Sequence, residues 1–178
     1  MSVQVDIKGI DKAVVELAGT KRRVHAAIKS ATGRALTAGR TAISKGIRSE
    51  YSVKASTIKN AIRKQRENAG MGGRLIVSGR PIDLMEFFPN ISRAGMVSVR
   101  IKKARKKLPH SFFVSTKKAG IYHRLSAKRL PIGREFTLSV PQMAGNTKVS
   151  KQVQDRMQEV FEERLLHALS YGQGKGYD

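Results

Sequence analysis

The sequence predicts an α+β fold, with N-terminal helices that include a long Ala-rich basic helix, a central antiparallel sheet of about five strands, and a C-terminal helix packed on that sheet. Three observations carry this. Small apolar residues recur at helical spacing from Thr20 to about Ser49, the period falls to two from Arg74 to Val140, and helical spacing returns from Asn146 to Tyr171. The 178 residues suit a single domain, 1–178, with the glycine-rich 172–178 expected as a flexible tail.

SVQVDI, residues 2 to 7, alternates as a strand does, and Asp11 offers an N-cap for a short helix over KAVVELAG. In the long helix, Val24, Ile28, Ala31, Ala35, Ala38 and Ala42 form one apolar stripe. Arg22, Arg23, Lys29, Arg34, Arg40, Lys45 and Arg48 project from the other side. Alanines on such a seam permit close approach to a neighbour, expected to be the protein's own sheet, and Gly39 and Gly46 would deepen it.

YSVKASTIKNAIRKQR follows, with Ser56 as a candidate cap and Ile58 and Ile62 one turn apart on a cationic helix. A capped basic helix in this place gives the alternative reading, a helix-turn-helix-like DNA-binding protein with Lys59 and Arg63 reading sequence. NAGMGGR is a turn, since no Gly-Lys-Ser/Thr follows to make a phosphate loop. RLIVSG, PIDLMEFF, MVSVRIKK, SFFVST, GIYHRLS and REFTLSV then read as antiparallel strands. In the last helix Val149, Val153, Met157, Val160, Phe161, Leu165, Ala168 and Leu169 keep one face apolar. Four of the 13 acidic residues, Asp155, Glu159, Glu162 and Glu163, lie on this segment.

Charge is the largest compositional signal: 35 Lys+Arg against 13 Asp+Glu leave a formal +22. Self-repulsion on that scale favours a polyanionic or acidic neighbour. With no Trp and 6% aromatics the core rests on aliphatic residues, which suggests that further apolar surface is buried against other subunits. Zero cysteines exclude disulfides and thiolate metal sites. No apolar run reaches the roughly 18 residues of a membrane span, so no membrane partner is expected. MSVQVDIKGIDKAVVEL lacks the apolar centre of a signal peptide, and the cytoplasm is the expected place of synthesis.

Catalytic chemistry finds little support. His25, His110, His123 and His167 lack zinc-site spacing, and no acid lies between Glu86 and Glu135 to orient His110 or His123, although a hairpin could bring those two together. The acids are too scattered for a metal-dependent nuclease. The expectation is therefore no enzyme, no catalytic or metal site and no cofactor.

The acid-free window from Phe87 through Arg134 carries 13 Lys/Arg and peaks at RIKKARKK. As a tip between strands, Arg100, Lys102, Lys103, Arg105, Lys106 and Lys107 would meet DNA phosphates or an acidic protein surface. Interleaved aromatics for base stacking are missing.

DIKGIDKAVVEL, the helix carrying ATGRALTAGRTA, YSVKASTIKNAI, then HSFFVSTKKAGIYHRLSAKRLPIGREFTLSVPQM and the closing LLHAL helix together resemble the prophage minor tail protein Z family. These are tail-completion proteins of long-tailed double-stranded-DNA bacteriophages. The resemblance implies an assembly surface at Phe112, Phe113, Tyr122, Arg124, Pro131, Ile132 and Pro141. It further implies a structural protein of the virion at the head-proximal end of the tail, a self-associated ring, hexameric to match the tube. Its neighbours would be the tail terminator, tail tube proteins and the head-tail connector, near the genome end, with assembly in the host cytoplasm. The glycine-rich terminus has no family counterpart.

Overall fold

Free of proline and rich in Ala, Lys and Arg, the first long segment keeps helix propensity high, and α1 spans Lys21–Glu50 without a break. The computed structural model describes residues 2–6, 21–66, 72–93, 95–116 and 119–171. The Asp11-capped helix, most of the glycine-rich break and the 172–178 tail lie outside them. Val24, Ile28, Ala31 and Ala35 are buried as their spacing predicts, whereas Ala38 and Ala42 are only half-buried. Beyond Ala35 the buried face passes through Leu36, Gly39, Ile43 and Ile47 instead. A strict seven-residue repeat drifts by about 20° per heptad on a straight helix, so the alanine seam walks off the buried face.

The chief neighbour of α1 is α4 (Thr147–Tyr171), in place of the sheet expected from sequence. Val149, Val153, Met157, Val160, Phe161 and Leu165 are buried there, as the spacing predicts. Gly39 and Gly46 set the closeness of this pair. A Cβ at Gly39 would lie 2.8 Å from Leu75 Cδ1 and run into the Met157 side chain, and one at Gly46 would sit 3.1 Å from Val149 Cγ1.

Towards the C-terminal end of α1 the chain turns through Tyr51–Lys54 into α2 (Ala55–Ala61), seven residues long. Ser56 does not cap it: the N-cap is Lys54, with no side-chain cap bond. Ile62 has left the helix and opens β2 (Ile62–Arg66). Pairing decides this, because all five residues of β2 find antiparallel partners on β3 (Gly73–Ser78), and β3 in turn pairs with β1 (Ser2–Asp6). Leu75 and Val77 of β3 point inward to join Ile43, Ile47, Ile58, Phe87, Met143 and Val153 in the main core.

The remaining antiparallel strands fall into small sheets. β4 (Pro81–Asp83) ends at a 3-10 turn, Leu84–Phe87, where a strand was expected; Asp83 Oδ1 accepts from Met85 N at 2.8 Å and starts that turn. β5 (Asn90–Ile91), β6 (Val97–Val99) and β7 (Lys106–Leu108) form one sheet; β8 (Ser111–Val114), β9 (Gly120–Arg124) and β10 (Ile132–Arg134) form another. β11 (Phe136–Ser139) pairs with β4 and leads into α3 (Val140–Ala144). The class is α+β, but its strands are divided among four sheets of two or three strands in the described residues. Runs of two to six residues interrupted by Gly and Pro are too short to build one wide sheet, and Leu84, Val97, Val99 and Ile121 make a separate small core under the second half.

Candidate assembly and polyanion-contact surfaces

Val97 and Val99 bury their side chains, and the register Val99↔Lys106 leaves residues 100–105 as the connection between β6 and β7. Arg100, Lys102, Lys103, Arg105, Lys106 and Lys107 are all exposed on this hairpin. The tip is anchored. Arg100 Nε donates to Lys103 O at 3.1 Å, and the Arg105 guanidinium reaches Phe88 O and Ser98 O, each at 3.4 Å. Ser52 N donates to Ile101 O at 3.0 Å, and Lys102 Nζ stands 5.9 Å from the centre of the Tyr51 ring. The cationic run is thereby held against the C-terminal end of α1. A cavity of about 290 Å³ opens at its base, lined by Arg48, Lys54, Arg100 and Arg105 together with Ser52 and Phe88. Lys54 is matched by Glu86 at 3.4 Å. Among the described residues the cavity lining itself includes no acid.

The second candidate surface is the sheet β8–β9–β10. Its register sets Phe112 beside Tyr122, Tyr122 beside Arg134, and Arg124 beside Ile132, so the period of two collects these residues on one face. Phe112 and Tyr122 stack with ring centres 6.5 Å apart. Arg124 lies 5.6 Å from the Phe112 ring centre and Arg134 5.9 Å from that of Tyr122. Cations over aromatic faces hold this ladder at about 0.5–1 kcal/mol each at exposed sites.

Of the residues expected at the assembly surface, Phe112, Tyr122, Arg124 and Ile132 share that face. Pro131 is exposed in the β9–β10 connection, after a cis Leu130–Pro131 peptide. Two others stand elsewhere. Phe113 faces the opposite way, half-buried against the Leu84–Val97–Val99–Ile121 core, because adjacent strand residues alternate sides. Pro141 is buried in the first turn of α3, whose N-cap Ser139 and Gln142 form a capping box; proline suits that turn because its missing N–H needs no partner there.

Sequence reasoning missed the apolar connection around Pro131. Leu125 is 59% exposed and Leu130 66%, while the backbone between them is fixed by Leu125 N donating to Pro131 O at 3.1 Å and Arg124 donating to Arg129 O at 2.8 Å. Large apolar residues in an ordered turn were the available signal. Folding also gives His123 the acid that its sequence neighbourhood lacks: Nδ1 is 3.0 Å from Glu135 Oε1, which accepts from Ser111 Oγ at 3.4 Å. His110 directly precedes Ser111, the register partner of His123, while His25 and His167 are exposed on helices. Groups of three or more His, Cys, Asp or Glu able to hold a metal ion are absent among the described residues. None of the described helices is long and apolar enough to cross a membrane.

No protein-family model matches the chain, and neither the curated proteins nor the solved structures yield a match.

Proposed function

We propose that the chain is a non-enzymatic structural subunit of a long-tailed bacteriophage, a tail-completion protein that forms a ring at the head-proximal end of the tail tube. The observation that carries this reading is the β9–β10 hairpin, which holds Leu125, Leu130 and Ile132 in water beside the Phe112–Tyr122 ladder. Clustered apolar groups on a fixed turn are favourable only when a partner covers them. The segment is also the one whose sequence most resembles the minor tail protein Z family. A second copy of the chain, repeated round a ring, would supply the cover. The cationic 100–107 hairpin then faces the entering genome or acidic neighbours, lowering the self-repulsion of a +22 chain.

Light scattering on the purified full chain across a salt series, with labelling of the chain in intact phage particles, tests this. A discrete ring that persists in high salt, and label at the tail end next to the head, are the expected results. A protein that stays monomeric at every salt concentration and is absent from tails refutes it.

A further inference from the structure

α1 carries a second basic feature, beside the face that packs on α4. A groove of about 760 Å³ runs between α1 and the α2–β2 junction, and no carboxylate among the described residues lines it. Arg40, Lys45 and Arg48 come from α1, Lys59 from α2 and Lys64 from β2. The walls are joined by hydrogen bonds: Arg40 donates to Lys59 O at 3.0 Å and Lys64 Nζ to Thr37 Oγ1 at 3.3 Å. None of the five cations pairs with an acid among the described residues. Like charges gathered without counter-charge cost the folded chain free energy that a bound polyanion returns.

Three features point to a nucleic-acid backbone as that polyanion. First, the α1 wall is linear: from Thr37 to Arg48 it extends about 16 Å at roughly 1.5 Å per residue, repeating a cation or hydroxyl at each turn. Second, Thr37, Thr41, Ser44 and Ser49 lie among the cations. Three of these hydroxyls now donate to helix carbonyls, at 2.8 to 3.2 Å. A hydroxyl rotates to redirect its donor, and Ser and Thr beside Arg and Lys are the usual phosphate-contacting set. Third, the lining holds no aromatic residue among the described residues for stacking an unpaired base, which favours a duplex over a single strand. Arg48 also lines the smaller cavity at the base of the 100–107 hairpin, so the basic path continues from one to the other.

We propose that this groove is a sequence-independent track for the phosphodiester backbone of duplex nucleic acid, running along α1 and over Arg48 to the hairpin. It stands on the groove alone and does not require that the chain build tails.

Fluorescence anisotropy of the full chain with short DNA duplexes of unrelated sequence, across a salt series, is the test. The expected result is equal affinity for every duplex and a steep salt slope. Replacing Lys45, Arg48 and Lys59 together by Gln should reduce the slope of log K against log salt by about 2.7, roughly 0.9 for each phosphate that is no longer neutralised. A control with the same charge change, Arg93→Gln, Lys128→Gln and Arg129→Gln, should leave the slope nearly as it is. Acetylation of the unsubstituted protein gives an independent readout: Lys45, Lys59 and Lys64 should be protected by duplex and Lys128 should not. Equal loss of slope in both variants, preference for one duplex sequence, tighter binding of single strands or of polyglutamate, or no protection in the groove would each overturn the proposal. Light scattering on the groove variant reads assembly separately.

Discussion

Gly39 of α1 lies directly against Met157 of α4, with Leu75 of β3 closing the third side, and no side chain fits between them. Gly39→Ala gains about 1 kcal/mol of helix propensity but forces overpacking that costs about 1–3 kcal/mol. A net loss is expected in urea unfolding. Met157→Ala makes room beside Gly39, so the double variant should lose less than the sum of the singles; strict additivity would show that the two side chains do not compete for this space.

Arg134 pairs with Asp83, whose other oxygen starts the 3-10 turn, and donates to Ala119 O at 3.0 Å. The pair ties β10 to β4 at a half-buried position, between an exposed ion pair and a fully buried one in strength. Arg134→Met keeps the length and removes the charge, leaving Asp83 uncompensated, for an expected cost of about 1–2 kcal/mol. Chemical denaturation of the Asp83→Asn/Arg134→Met double variant should recover part of it. A single variant as stable as the parent would remove the pair from the account of this half.

Thr32 is fully buried in α1, and its hydroxyl finds no hydrogen-bond partner among the described residues. Thr32→Val keeps the branched shape while removing the unsatisfied group. The expected change is a gain of about 1 kcal/mol, read as a higher denaturation midpoint with an unchanged slope. A loss of stability would mean that the hydroxyl is satisfied in solution.

Leu130 and Ile132 face water in the isolated chain. Surface changes away from special contacts alter stability by within about 0.5 kcal/mol, so Leu130→Asp with Ile132→Asp should leave the melting temperature close to that of the parent. The same variant should fail to form the proposed ring in light scattering. Unimpaired assembly would move the subunit contact to another face.

Much of the helical architecture was readable in advance, for reasons that single residues make plain. Val149, Val153, Met157 and Val160 are spaced at four, four and three residues over a segment without Gly or Pro, and all are buried. The strand around Leu75 and Val77 was equally legible, because alternation places both on one side. Ser56 misled because a good cap residue precedes a helical pattern there, yet Ile62–Arg66 gains a complete ladder on β3, a long-range term outside any local window. The surface sites divided similarly. The exposed cations at 100–107 followed from their run of charge, while the opposite sidedness of Phe112 and Phe113, and the burial of Pro141, required the register and the cap to be known.

By itself, the amino-acid order determined the α+β class, the two long helices and the excess of positive charge, all of which depend on neighbours along the chain. Tertiary structure alone decided that α1 seats on α4 at Gly39, that His123 meets Glu135, and that Lys59 and Lys64 join Arg40, Lys45 and Arg48 in one groove. The physical reason is separation: such groups come together only after burial and strand pairing have offset the entropy of closing the loops between them.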